Sequence, residues 1–359
     1  VKTYDIFIIG AGINGAALAY ELSQRGQKVL VFEQEDIASG GSGAAGAFIN
    51  PKISKSGPLK ELIEKAYRYS IDFYTHKFPQ LTTAAPLLHI SKSEEENEKV
   101  DYFKEHTSLK ISMPPKERTA LLTPYAASFS SVFLEESAVV DAKEVCRAML
   151  EGVEYRRMKV EKPLYHDGMW QIAEAKAKKM VLCTGAFEEI FKEPYIKLRR
   201  IFGQRCEIKS STFMPYTIHH AVSVSATKKS GSISVGASHY LSEADLPSAQ
   251  EGAQELLRLA RLSVRLDAVQ ITQTYSGMRS GSNDYLPILG PLIPSEGALC
   301  KSCYSECYMI NGAGGYGFVL APYLADLMTK HLLDAQPLPE FLKPQRFYAR
   351  WAKKEARNL

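Results

Sequence analysis

The sequence predicts an α/β fold: a parallel-sheet nucleotide-binding half, with a mostly antiparallel α+β half inserted into it in two pieces. Three observations carry this. The chain opens on an apolar strand, residues 4–9, that runs into Gly10-Ala11-Gly12-Ile13-Asn14-Gly15 and then a helical stretch, 16–26. A second strand, 28–32, ends at the acid Glu33. Far downstream, stretches 201–208, 221–226 and 232–238 read as three strands of a second sheet, and 248–264 reads as a helix crossing it.

The opening matches the G-x-G-x-x-G dinucleotide fingerprint in its proper setting of strand, turn and helix. Gly10 permits the tight turn, Gly12 lets the backbone approach a pyrophosphate, and Gly15 lets helix and strand pack closely. The helix start supplies free N–H groups and the positive end of a dipole. Glu33 stands where a carboxylate can accept from both ribose hydroxyls of an adenosine, and its charge would repel a 2′-phosphate. A glycine-rich turn that binds nothing is the bland reading; strand, glycines, helix and acid together weigh against it. Ser42, Gly43, Ala44, Ala45 and Gly46 follow in a small-residue loop that could lay further N–H groups along an extended cofactor, which favours FAD over NAD.

The remaining elements follow in order. Residues 59–78 carry apolar groups at helical spacing, with Tyr67, Phe73 and Tyr74 expected in a core. Glu94, Glu95 and Glu96 suggest a solvated helix start, and Pro114-Pro115 a break. Asp141 is expected to cap the next helix, and 155–172, turning at Asp167-Gly168, reads as a hairpin. The predicted cofactor domain is therefore discontinuous, 1–80, 132–200 and 277–359, with a substrate domain made of 81–131 and 201–276.

Composition narrows the class. A chain of 359 residues can bury a large core, and its net charge of +4 permits an anionic partner without demanding one. No apolar run approaches the ~20 residues that span a membrane, so no membrane partner and a cytoplasmic protein are expected. Six cysteines in a chain this long are not a secreted disulfide framework. Cys300, Cys303 and Cys307 have ligand-like spacing but no obvious fourth partner unless the fold brings Cys206 near. Reduced thiols, with no metal, are the reading carried forward. His219 and His220 lack acidic or cysteine neighbours in sequence, which also argues against a metal.

Beyond the first loop the chain resembles the D-amino-acid-oxidase superfamily of FAD enzymes. Val181-Leu182-Cys183-Thr184-Gly185-Ala186 is similar to that superfamily's strand ending in a Thr-Gly pair beside the cofactor. Val160 falls where the family holds the adenine with a backbone group. Tyr275 to Gly281, with Arg279, and Leu286 to Gly290 look like its late arginine and L-P-x-x-G stretch. Gly312, Gly314, Gly315, Tyr316 and Gly317 then open a C-terminal helix, as in the family's flavin-contacting turn. The resemblance implies a Rossmann-type FAD-binding domain with an inserted substrate domain, and FAD as the redox cofactor. One departure is Tyr316, where relatives often carry Arg or Lys.

The same resemblance implies the chemistry. Arg279 matches the arginine that grips the substrate carboxylate; a guanidinium fork suits that task. His239 and Tyr240 could line the substrate face. Ser42 to Ser54, Gly236 to Tyr240 and Pro344 to Arg350 are similar to the oxidoreductase domain of the bifunctional tRNA 5-methylaminomethyl-2-thiouridine biosynthesis proteins, a branch related to glycine oxidases. That branch removes a carboxymethyl group from 5-carboxymethylaminomethyluridine at the tRNA wobble position, leaving the amine and glyoxylate. Its members carry a methyltransferase domain ahead of the FAD domain. This chain starts close to the first strand, so a stand-alone protein with a separate methyltransferase partner, an excised domain, and a small-molecule relative all stay open. Arg346, Arg350, Lys353, Lys354 and Arg357, interleaved with Phe347, Tyr348 and Trp351, suit either RNA or an amphipathic last helix packed on the body. The run Lys197, Arg199 and Arg200 is open to the same two readings. Three function classes stand: a tRNA-modifying FAD enzyme, a small-molecule amine oxidase or dehydrogenase for glycine, sarcosine or a D-amino acid, and a non-catalytic flavoprotein.

Overall fold

The computed structural model describes residues 2–113, 118–295 and 304–358. Two compact units divide the chain. One comprises Val1–Gly43, Cys146–Arg200 and Met278–Leu359; the other comprises Ala44–Val145 and Ile201–Gly277.

The first unit is built on a parallel sheet. Lys2–Ile9 lies at its centre, paired on one side with Val29–Glu33 and on the other with Ala175–Leu182. Glu154–Arg157 extends the sheet beyond Val29–Glu33, and Cys307–Asn311 pairs in parallel with the end of Ala175–Leu182. The central strands are near-continuous apolar runs because both faces are covered. Phe7, Leu30, Phe32, Met180 and Leu182 are buried in its core. The helices Ile13–Gln24 and Gly317–Asp334 start close together, since a Cβ placed on Gly317 would lie 3.5 Å from Ile13.

The expected hairpin over 155–172 is shorter than the sequence suggests. Leu164–His166 and Met169–Ile172 form it, turning at Asp167-Gly168, while Glu154–Arg157 joins the parallel sheet instead. Val160 lies beyond the end of that strand, packed on the unit's core.

The second unit holds a mixed sheet in the order Gln270–Ser282, Leu198–Lys209, Ile233–Gly236, Ser223–Val224, Thr217–His219, Leu87–Ile90, Ser131–Leu134 and Ile111–Ser112. The first two of these strands carry the chain across the boundary between units. The helix Ala249–Arg261 packs Leu256, Leu257 and Ala260 against Ile208, Ile218, Val224 and Val235. Its start is fixed by a capping box between Ser248 and Glu251. The helix Pro58–Lys77 buries Tyr67, Phe73 and Tyr74. A small sheet joins Phe48–Ile49 to Ala138–Val140 and Thr82–Ala84. Asp141 precedes the helix Ala142–Met149, and its carboxylate receives the Lys228 ammonium at 2.8 Å. Among the described residues no helix is long and apolar enough to cross a membrane.

Candidate cofactor and substrate sites

Glycine chemistry shapes the first turn. Gly10 adopts φ +108, and a Cβ there would fall 2.4 Å from the Cys183 carbonyl oxygen. A Cβ on Gly15 would fall 1.9 Å from the Gly10 oxygen, so the helix can meet the strand only through glycine. Gly12 differs: among the described residues its Cβ would meet only Ser42, at 3.1 Å from Oγ. Its surroundings are otherwise open. Ser42 Oγ accepts from the Ile13 N–H at 2.9 Å, which ties the small-residue loop to the helix start. The Glu33 carboxylate accepts from the Ala11 N–H at 2.8 Å and the Glu35 N–H at 3.1 Å. It thus braces the turn, and a carboxylate has lone pairs left for ribose hydroxyls. Gly43 is buried, its Cβ position 2.2 Å from the Ala38 oxygen.

A second set of glycines gathers around Asn311. This amide is fully buried at the end of Cys307–Asn311. Its Oδ1 accepts from the Gly312 N–H and from Ser280 Oγ, both at 2.7 Å, and its Nδ2 donates to the Gly185 carbonyl at 2.9 Å. One side chain thereby joins the Thr184-Gly185 turn, the strand that carries Arg279 and the turn before the last long helix. Sequence reading missed it. The available signal was a polar residue ending an apolar strand. Gly281 pairs with Ala313 as an isolated antiparallel bridge, which fixes the same two segments through the backbone. A Cβ on Gly315 would lie 3.8 Å from Arg279 Nη1, so the guanidinium sits beside this turn. Arg279 is half-buried, and burial lowers its pKa, though an arginine stays charged. Gly185, Gly312 and Gly314 adopt positive φ, and among the described residues nothing lies within 4 Å of the Cβ positions of Gly185 and Gly314. Burial also raises the Tyr316 phenol pKa, and Tyr316 directly precedes the helix Gly317–Asp334.

These observations fit FAD. Open space stands beside Gly12, Gly185 and Gly314, where a cofactor could approach the backbone, and the acid Glu33 closes the second strand. Thr184 is less available than expected, because its hydroxyl donates to Glu188 at 2.6 Å. Desolvation first, opposed by that hydrogen bond, raises the Glu188 pKa.

In the second unit, Ala44 is buried, while Ala45 and Gly46 keep accessible surface. The Phe48 ring packs on Gly46, leaving no room for a side chain there. Tyr240 is half-buried and exchanges two backbone hydrogen bonds with Phe202; His239 beside it is exposed. His219 and His220 are neighbours in sequence that separate in space. His220 is buried against Ser263 at 2.8 Å, whereas His219 meets Asn50, just past the strand Phe48–Ile49.

The basic tail divides. Arg346 is a structural residue: it forms an ion pair with Asp284 at 2.8 Å and donates to the carbonyls of Leu286 and Pro287. Phe347 packs on the first unit's core, and Tyr348 and Trp351 against Tyr195. Arg350, Lys353, Lys354 and Arg357 remain exposed on the helix Gln345–Asn358. In the other basic run, Arg199 lies over the Tyr285 ring and Arg200 donates to the Ala186 carbonyl. Cys300 and Cys303 lie outside the described residues; Cys307 is buried in its strand and burial pushes its thiol pKa up. No group of metal-binding side chains occurs among the described residues.

A family model described as "DAO: FAD dependent oxidoreductase" matches residues 5–331. The chain is 24% identical over 382 residues to the tRNA 5-methylaminomethyl-2-thiouridine biosynthesis bifunctional protein MnmC of Legionella pneumophila, covering 95% of this chain and 56% of that protein. The protein of the same name from Stutzerimonas stutzeri is 27% identical over 397 residues, covering 98% of this chain and 60% of its own length. The chain thus spans little more than half of these relatives. In fold it is similar to glycine oxidase from Bacillus cereus, with a TM-score of 0.76 at 19% identity, covering 93% of this chain and 96% of that one. It is likewise similar to L-proline dehydrogenase from P. horikoshii, with a TM-score of 0.78 at 17% identity, covering 97% and 98%.

Proposed function

Because the chain belongs to the DAO family of FAD-dependent oxidoreductases, we propose that it oxidises the C–N bond of an N-substituted glycine, and that this glycine is the carboxymethylaminomethyl group of a tRNA wobble uridine. The observation that carries the reading is Arg279, a half-buried cation beside Gly315 in the turn Asn311 organises. Bound FAD supplies the two-electron oxidant. Gly10, Gly12 and Gly15 with Glu33 would hold its adenosine and pyrophosphate, aided by Ser42, Gly43 and Val160. Ala44 to Gly46, Thr184, Gly185 and the Gly312–Gly317 turn would hold the remainder. Arg279 binds the substrate carboxylate through paired charge-assisted hydrogen bonds, which fixes the adjacent CH₂ in one orientation. The substrate loses two electrons and two protons to give a C=N bond. Water then cleaves that bond to the free amine and glyoxylate.

The tRNA assignment rests on the relatives' names, on the segment resemblance and on the exposed cations Arg350, Lys353, Lys354 and Arg357. Burial of Arg346 removes one expected phosphate contact and keeps a small-molecule amine oxidase as the second reading. Product analysis decides. Incubation with tRNA carrying the carboxymethylaminomethyl group should release glyoxylate and leave the aminomethyl nucleoside. Glyoxylate from free glycine, with the tRNA unchanged, would select the second reading.

A further inference from the structure

A loop of the first unit holds a tyrosine outward, and none of the foregoing uses it. Tyr285 lies between the strand that carries Arg279 and the strand Ile288–Pro291. Its backbone adopts φ +64, a left-handed conformation that a bulky side chain rarely takes. The loop is nevertheless pinned on both sides of it. Arg346 pairs with the Asp284 carboxylate at 2.8 Å and donates to the carbonyls of Leu286 and Pro287 at 2.9 and 3.1 Å. Ser282 Oγ donates to Asp284 Oδ1 at 2.9 Å, and the Leu286 N–H donates to the same oxygen at 3.2 Å. These bonds hold the strained residue, so its ring is set in place before any partner arrives.

Tyr285 is 62% exposed although one face of its ring is covered. The Arg199 guanidinium carbon lies 4.2 Å from the ring centroid, and Nη1 donates to the phenol oxygen at 3.3 Å. The exposure therefore comes from the opposite face and the ring edge. Among the described residues Arg199 forms no ion pair, and its buried Nε has no hydrogen-bond partner. Lys197 is exposed and likewise meets no carboxylate among the described residues. Arg346 shows the contrast: an arginine that serves the fold meets an acid, Asp284.

An exposed ring backed by a cation without a counter-charge suits a flat π-system attached to an anion. An unpaired nucleobase with its phosphates is such a group. The base stacks on the open face of the ring, and the phosphates meet the cations. A base inside a duplex offers no free face, so single-stranded RNA fits and a helix does not. An apolar protein side chain would use the ring but leave Lys197 and Arg199 unanswered. The last helix adjoins the same features. Arg346 at its start bonds Asp284, and Tyr348 and Trp351 pack on Tyr195, two residues before Lys197. Resting on the tRNA reading above, we infer that Tyr285, backed by Arg199, is a stacking platform for an unpaired base of the anticodon loop, with Lys197 and Arg199 offering charge to the flanking phosphates.

The probe is an unmodified anticodon stem-loop RNA, which can bind without reacting, titrated against the FAD-loaded protein at several salt concentrations. Tyr285→Ala should weaken binding about tenfold at every salt concentration and leave the salt slope unchanged, because it removes a base contact and no phosphate contact. Tyr285→Phe keeps the ring and should bind within about twofold of the wild type. All three side chains carry a Cβ at the same positive φ, so the comparison isolates the ring. Arg199→Gln should lower the salt slope by about one. The wild-type protein supplies a second reading. Replacing the loop bases one at a time with abasic nucleotides should weaken binding about tenfold at one position, and that loss should vanish in Tyr285→Ala. Equal affinity of the wild type and Tyr285→Ala, or abasic losses that persist in the variant at every position, would overturn the inference while leaving the proposed function standing. A wild-type protein that binds no stem-loop even at low salt would overturn the inference and the tRNA assignment together.

Discussion

Asn311→Leu is the most informative change to the first unit. The substitution keeps approximate volume and removes three hydrogen bonds at once, those to the Gly312 N–H, the Ser280 hydroxyl and the Gly185 carbonyl. Each such bond contributes about 1 kcal/mol net, and an unmet buried partner adds about 1–3 kcal/mol. Gly312 is buried, so its N–H bears the full penalty; Ser280 and Gly185 are half-buried and water can relieve them. The sum is about 4–6 kcal/mol. Gly185 and Gly312 belong to the two turns assigned to FAD, so much of the loss should appear as weaker cofactor binding. If only about 1.4 kcal/mol is felt there, the Kd for FAD rises tenfold. Ser280→Ala removes one of the three bonds and should cost about 1 kcal/mol. Titration of cofactor-stripped protein with FAD, followed by quenching of flavin fluorescence, measures the first quantity, and denaturant unfolding measures the second. Wild-type FAD affinity and stability in Asn311→Leu, or a Ser280→Ala loss as large, would refute the idea that this amide organises the site.

Three further outcomes are expected. Arg279→Ala should cripple turnover of carboxylate substrates while FAD stays bound, at a cost of ~2–5 kcal/mol in kcat/KM, and wild-type reduction kinetics in that variant would remove Arg279 from the site. Gly15→Ala should abolish FAD binding or folding, since its Cβ would sit 1.9 Å from a backbone oxygen, and a soluble variant with normal flavin content would contradict the close helix–strand approach. Burial lowers the pKa of His89 to about 4 and of His219 to about 3, whereas each titrates near 6.5 when unfolded; below that pH the unfolded chain binds protons the folded chain does not. Stability should therefore fall as pH drops from about 6.5 to about 4, by up to about 1.4 kcal/mol per pH unit for each histidine, and His219→Phe should make the slope shallower. Denaturant unfolding across that range checks this, and identical slopes in wild type and variant would refute it.

Much of the first unit was legible because its signals are local. The strand, glycine turn, helix and acid of residues 4–33 form one contiguous pattern, and only glycine satisfies the positive φ at Gly10 and the contact at Gly15. The helices Pro58–Lys77 and Ala249–Arg261 were legible for the same reason. Features made by distant segments were not. Asn311 joins residues 31 and 126 positions away, and nothing in its neighbourhood announces them. The sequence left Arg346 open to an RNA-facing and a packed reading alike, and the choice lies with Asp284 and two distant carbonyls that accept from it. The pairing of His89 with His219 depends on parallel strands far apart in the chain. His219 and His220, adjacent in sequence, take different partners, Asn50 and Ser263.

The most direct test mixes the FAD-loaded protein anaerobically with tRNA bearing the carboxymethylaminomethyl group, and separately with glycine at equal concentration, while the flavin absorbance is followed. Faster bleaching by the tRNA is expected, because phosphate contacts to the exposed Arg350, Lys353, Lys354 and Arg357 add binding energy remote from the reacting carbon, and the advantage should fall steeply with salt. Bleaching by glycine alone, with no response to the tRNA even at low salt, would contradict the tRNA assignment.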